Sequence, residues 1–244
     1  MFETVEAVLK ISGTNARLGN LLGASTPLLL GSSSSECLPH MLSDSNNPDF
    51  ENISTSPVSV ALDDVILESR QMKHNFRGIR KYYGLNASTL IFLVPTQVGT
   101  FRCTPSSDRG VSLDTAHGRL QIETSDFQLV AKAAKPDISL ALNDNVSAHV
   151  SKIRNEKSVS RTLGWLTSLL KREPEFPGFI FGSIEGTNDL HLRKLSALQT
   201  AALPVDGFVI SGICSGESSE ERDNILSTIL PLLPDEKCRA ISSV

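Results

Sequence analysis

The sequence predicts an α/β fold in which parallel strands are joined by crossover helices. Two observations carry that expectation. Short apolar runs closed by turns recur along the chain: Leu90-Ile91-Phe92-Leu93-Val94, Ile138-Ser139-Leu140-Ala141-Leu142, Phe179-Ile180-Phe181-Gly182 and Phe208-Val209-Ile210. Between several of them lie amphipathic stretches long enough for a helix, the connection that neighbouring parallel strands need. The clearest unit spans Phe179 to Gly212. Its first strand stops at Glu185-Gly186-Thr187, Thr187 or Asn188 is placed to cap a helix, and Leu192, Leu195, Leu198 and Ala202 are expected on the inner face. Pro204 to Gly212 then supplies the second strand.

Composition narrows the class. A chain of 244 residues buries a sizeable core, as one large α/β domain or two small ones, and with only 5% aromatic residues that core is mostly aliphatic. A net charge of −4 excludes a generally basic nucleic-acid coat but leaves room for a local basic face. No apolar run approaches the roughly 18 residues of a membrane span, and Met1-Phe2-Glu3 does not begin a signal peptide, so a soluble cytoplasmic protein is expected. Cys37, Cys103, Cys214 and Cys238 lack the spacing of a zinc knuckle and read as free thiols.

Along the chain, residues 1–50 are rich in strand and turn signals. Short strands are expected around Val5 to Leu9, Ala16 to Gly19 and Thr26 to Leu30, followed by a serine run and Pro39-His40. Asp44 to Ser56 reads as a mobile surface loop. The expected division is 1–56 as a β-rich segment with this loop and 57–244 as the main α/β unit. Helices are placed near Leu62 to Glu68 and His74 to Tyr83; on the second, Lys73, Arg77, Arg80 and Lys81 form a basic patch that reads as a solvated face. Val111 to Ile122 suggests a hairpin turning at His117-Gly118, and Ser125 with Gln128 suggests a capping box for a helix ending before Pro136. The most basic stretch, Ser147 to Arg172, holds a helix capped by Ser158 with Leu163, Leu166, Leu169 and Leu170 in one stripe and Trp165 at its edge. Glu217 to Leu233 is a last helix with Ile225, Ile229 and Leu232 inward, and Cys238 to Ser242 a last strand.

Ligands of parallel α/β proteins sit beyond the carboxyl ends of the strands. Candidate binding residues are therefore Asn143 and Asp144 after one strand, Glu185 and Gly186 after the next, and Ser211 and Gly212 after the third. Glycine admits a close flat ligand, Glu185 accepts from an N–H edge, and Asn143 both donates and accepts. The plainer alternatives are a turn at Glu185-Gly186 and an Asx turn at Asn143-Asp144. Lys152, Arg154, Lys157 and Arg161 are candidate phosphate contacts for RNA, or else a solvated helix face.

Phe179-Ile-Phe-Gly-Ser-Ile-Glu-Gly186, followed a helix later by Gly207-Phe-Val-Ile-Ser-Gly-Ile-Cys-Ser-Gly-Glu217, resembles the guanine-recognition half of the tRNA-guanine transglycosylases. The resemblance covers about Ala16 to Ser243 and implies an incomplete TIM-type (β/α) barrel with an N-terminal β-rich segment. It implies a non-catalytic member. Glu185 stands where catalytic members carry a base-reading Gln, Ser211-Gly212 where they carry paired glycines, and Asn143 where they carry an Asp. Val94-Pro95-Thr96-Gln97-Val98-Gly99 stands where they carry Asp-Ser-Gly-Gly-Phe-Gln, so the carboxylate expected of a general base is absent. The family's nucleophilic Asp and Cys-x-Cys-x-x-Cys plus His zinc site have no counterpart in this sequence, so no catalytic residue, metal site or cofactor is expected within it.

The implied role is pairing, as a heterodimer, with the catalytic subunit of queuine tRNA-ribosyltransferase, which exchanges guanine for queuine at the wobble position of tRNA. Contact with tRNA would come through that complex, and peripheral association with the mitochondrial outer membrane is a further implication. Two alternatives stand beside it: a truncated form without independent activity, and a β/α-barrel enzyme acting on a small nitrogenous ligand through Glu185, Asp144 and Asp206.

Overall fold

A computed structural model describes residues 9–10, 17–32, 57–71, 76–96, 106–115, 118–172, 176–213 and 216–243. Three short antiparallel strands open the chain, β1 (Leu9–Lys10), β2 (Arg17–Leu21) and β3 (Ala24–Thr26). The strand expected across Thr26 to Leu30 is not formed. Pro27 has no N–H to give a ladder, and Leu29 projects into solvent at 90% exposure. Next come β4 (Gly31–Ser32), β5 (Val58–Ala61), helix α1 (Leu62–Gln71), the short helix α2 (Ile79–Tyr82) and β6 (Ile91–Val94). The hairpin β7 (Gly110–Thr115) and β8 (Gly118–Glu123) is inserted before helix α3 (Thr124–Ala134). The chain continues through β9 (Ile138–Leu140), α4 (Lys152–Arg172), β10 (Phe179–Ile184), α5 (Leu190–Ala201), β11 (Gly207–Ile213), α6 (Ser219–Ile229) and β12 (Cys238–Ser243).

Seven strands form one sheet in the order β12-β11-β10-β9-β6-β5-β4, with every pair parallel. Successive parallel strands are always neighbours, so the sheet winds one way and curls into half of a TIM-type barrel. A doubly wound sheet would reverse its strand order. The expected incomplete (β/α) barrel with a β-rich N-terminal segment is therefore the observed architecture.

Alternation along each strand builds two apolar layers. Ile91, Leu93, Ile180, Ile184, Phe208 and Ile210 pack outward with helix residues such as Phe127, Leu166, Ala197 and Ile225. Phe92, Ile138, Leu140, Phe181 and Val209 pack on the other face, joined by Leu21 from β2, with Phe92 and Phe181 edge to face at 6.3 Å. The N-terminal meander thereby covers the apolar inner surface. Beneath the strands, two aspartates repeat one device: Asp137 accepts the Ile91 N–H and Asp206 the Ile180 N–H, each at 2.8 Å.

Local signals were correct in kind and shifted in position. Helix α3 follows β8 without a linker, so its capping box is Glu123 with Asp126 and not Ser125 with Gln128. Helix α4 already starts at Lys152, which leaves Ser158 buried inside it, donating to the Asp144 carbonyl. Asp189, not Thr187 or Asn188, caps α5 by accepting from His191 N and Leu192 N. On that helix Leu195 and Leu198 are 38% and 47% exposed and Ala202 is exposed, while Arg193, Ser196, Ala197 and Thr200 join Leu192 inside. The inner face is partly polar because it covers strand ends whose backbone groups need partners. His40, Lys73, Gln97 to Gly99, Cys37, Cys103, Cys214 and most of 1–56 lie outside the described residues.

Two outcomes follow for stability. A Cβ on Gly207 would lie 2.5 Å from the Phe181 ring, so Gly207→Val should lower stability by about 1–3 kcal/mol or more, read as a fall in denaturation midpoint. At the start of α6, hydrogen bonds from the Ser218 backbone and side chain hold the Glu221 carboxyl below the usual glutamate range. A depressed folded-state pKa stabilises above the unfolded value and is lost as pH falls through the folded one. Glu221→Gln should therefore be less stable than the parent at neutral pH, and the difference should vanish in acid.

Candidate functional site

The inner face of the sheet changes character along its length. On β10, alternate residues run Phe179, Phe181, Ser183 and then Glu185; on β11 they run Val209 and Ser211. Aromatic and aliphatic groups thus fill the amino-terminal half, and a polar cluster occupies the carboxyl-terminal mouth. Glu185 is 2% exposed, Ser183 and Ser211 are each 1% and Asn143 is 7%.

These groups bind one another. The Asn143 Nδ2 donates to Glu185 Oε1 at 2.9 Å, and the Ser183 hydroxyl lies 2.7 Å from the same oxygen and 2.7 Å from the Ser211 hydroxyl. A hydroxyl has one proton, so the consistent chain is Ser211 to Ser183 to Glu185. The Glu185 N–H is taken by Ser196 from α5. Gly212 has φ +64, and a Cβ there would lie 3.1 Å from Asn145 Oδ1 and 3.8 Å from Glu185 Oε2. The strands thus bring Asn143, Glu185, Ser211 and Gly212 together as expected from their positions.

Asp144 belongs to a different group. It is 1% exposed, held bidentately by Arg154 at 2.6 and 2.7 Å, with Arg161 at 3.5 Å. Its N–H donates to Thr162. Arg161 also donates to Asp108 at 2.8 Å, whose carbonyl accepts from the Trp165 indole, so Trp165 is buried and not at an edge. Of the four basic residues singled out on α4, Lys152 and Lys157 are exposed, and Arg154 and Arg161 are engaged with carboxylates. Asp206 sits at the opposite end of the sheet from Glu185, serving the Ile180 N–H, so Glu185, Asp144 and Asp206 do not converge.

Sequence reasoning missed Arg193. Its side chain is fully buried and donates to the carbonyls of Ile184 (2.7 Å), Thr187 (2.8 Å), Ser211 (2.7 Å) and Gly212 (3.1 Å). Ile184 and Thr187 lie where β10 ends and its turn begins, and Ser211 and Gly212 lie where the β11–β12 ladder shifts register between Ile210 and Ile213. Burial lowers the Arg193 pKa, and the charges of Glu185 and Glu217 oppose that shift, but a guanidinium remains protonated at any working pH. The turn between Glu185 and the helix is strained, with Gly186 at φ +135 and Thr187 at φ +48, and Asn155 secures it through Gly186 O and Thr187 Oγ1. A Cβ on Gly186 would lie 2.7 Å from the Arg193 nitrogen. The only signal in the sequence was an arginine between Leu192 and the inward Ser196, which reads equally well as a solvent-facing cation.

Among the described residues no group of three or more His, Cys, Asp or Glu could hold a metal ion. Among the described residues, too, no helix is long and apolar enough to cross a membrane.

A singly wound β/α half-barrel with buried polar groups gathered at its carboxyl-terminal mouth defines a class of barrel proteins that hold ligands at that end. Comparison with known proteins then fixes the family. The profile described as queuine tRNA-ribosyltransferase matches residues 13–244, and the chain belongs to that family. Among curated relatives, the queuine tRNA-ribosyltransferase accessory subunit 2 of Gallus gallus is 32% identical over 78% of this chain and 45% of its own length. The protein of the same name from Trichoplax adhaerens is 26% identical over 97% of this chain and 67% of its own length. A queuine tRNA-ribosyltransferase of Lactiplantibacillus plantarum is 34% identical over 45% of this chain and 29% of its own length. The chain spans about half the length of most of the accessory-subunit relatives it matches.

The Arg193 arrangement makes a sharp prediction. Arg193→Met leaves four buried carbonyls without their donor and Glu185 without its neighbouring cation, and should cost about 3–5 kcal/mol in urea unfolding. Arg193→Lys keeps the charge but not the planar fork, and should fall between the two.

Proposed function

We propose that this chain is a non-catalytic subunit of queuine tRNA-ribosyltransferase, acting by pairing with the catalytic subunit during exchange of guanine for queuine in tRNA. The observation that carries the reading is the end of β6, where Val94-Pro95-Thr96 presents no carboxylate at the position at which the family's catalytic members keep their acid. Supporting it, the Glu185 carboxylate is already engaged by Asn143 and Ser183, and relatives named as accessory subunits match most of the chain. On this reading the polar mouth maintains the shape of the barrel end and does not activate a nucleophile. The bacterial relative bears the enzyme's name, so activity of the isolated chain is the alternative to be tested.

Two measurements check this. The chain alone, incubated with tRNA and labelled guanine, should give exchange at background; incorporation above background overturns the proposal. Co-expressed with the catalytic subunit it should co-purify in a defined ratio. Glu185→Gln, which preserves shape and an acceptor toward Asn143 and Ser183, should leave that ratio unchanged.

A further inference from the structure

The basic patch around α2 is divided in a way the sequence did not show. Arg80 serves the scaffold, its guanidinium meeting Asp137 at 2.8 Å and donating to the carbonyls of Asn86 and Thr89. Arg77 and Lys81 are instead exposed, and Lys135, the residue after α3, is exposed beside them. The three line one open hollow of about 460 Å³ at the amino-terminal end of the sheet, next to Asp137 and away from Glu185. Close backbone contact creates it. Gly78 has φ +101, and a Cβ there would lie 3.1 Å from the Ala134 carbonyl, so any other residue would push α2 off the end of α3. Among the described residues, no hydrogen bond or ion pair engages the side chains of Arg77, Lys81 or Lys135.

We propose that this hollow takes an RNA phosphodiester backbone. A compact phosphate would call for convergent backbone N–H donors. Here the Tyr82 N–H is spent on the Gly78 carbonyl and the Lys135 N–H on the Ala131 carbonyl, and the carboxyl end of α3 repels a small buried anion. Exposed cations on long flexible stems suit a polyanion, which they neutralise one phosphate at a time without fixed geometry. A flat lipid surface touches projections, whereas these charges line a concavity. The net charge of −4 makes such a local unpaired trio stand out against the remaining surface. The inference is independent of pairing with a catalytic subunit, because its test uses neither partner nor guanine.

The test is fluorescence anisotropy of the full chain with labelled polyuridylate of about 20 nucleotides, across salt from about 50 to 200 mM. Arg77→Gln/Lys81→Gln/Lys135→Gln should bind about tenfold or more weakly, with a salt slope shallower by about 2, since each lost contact removes about 0.7. Equal affinity and slope in the triple variant overturn the proposal. So does loss of RNA binding from Lys152→Gln/Lys157→Gln with the triple variant unaffected, or a triple variant that loses phosphatidylserine vesicles but keeps RNA. As a measurement on the unaltered chain, 4-thiouridine RNA should crosslink to peptides containing residues 76–81 or 135; crosslinks confined elsewhere overturn it.

Discussion

The Arg193 guanidinium is the interaction on which the carboxyl-terminal end of this half-barrel depends. A parallel sheet that stops inside a protein leaves its last carbonyls pointing at nothing, and each such buried group is costly without a donor. One planar fork answers four of them at once, two from the end of β10 and its turn and two from β11. It thereby fixes how far apart the two strand ends sit and how the turn at Gly186 and Thr187 leaves the sheet. Glu185 and Glu217, the latter also paired with Arg222, lie near enough to favour its charge, so the mouth is polar and charged without being exposed.

The rest of the sheet explains why that polarity is confined to one end. On β9 and β10 the inward positions are Ile138, Leu140, Phe179 and Phe181 until the strand ends are reached, and there they become Ser183, Glu185 and the neighbouring Asn143. The apolar half is covered by Leu21 and the N-terminal meander, which removes it from water. In the polar half, Ser211, Ser183 and Asn143 form a hydrogen-bonded chain that ends on Glu185 Oε1, while the buried Asn145 Oδ1 beside Gly212 has no partner among the described residues.

Charge is used structurally elsewhere too. Arg154 and Arg161 draw Asp144 against α4, and Arg80 with Asp137 joins α2 to the base of β6 and β9. Removing one partner from any of these strands a buried or half-buried ion, whereas the exposed Arg77, Lys81, Lys135, Lys152 and Lys157 carry no such structural duty. The distinction separates scaffold from surface in a chain whose basic residues look alike in one dimension.

The sequence by itself determined the α/β class, the placement of the strands after residue 57, and the clustering of Asn143, Glu185, Ser211 and Gly212 at neighbouring strand ends. These rest on periodicity and on the rule that successive parallel strands lie side by side, both written in local order. Tertiary structure alone decided that Leu195 and Leu198 face out while Arg193 faces in, that Asp144 answers Arg154 and not the mouth, and that Asp206 serves the far end of the sheet. At 3.6 residues per turn, the observed inner face around Arg193, Ser196 and Thr200 is turned by more than about 100° from the one that Leu192, Leu195 and Leu198 would define, and helix periodicity does not fix that rotation. The fixing came from strand carbonyls distant in sequence, whose need for donors outweighed the burial of two leucines.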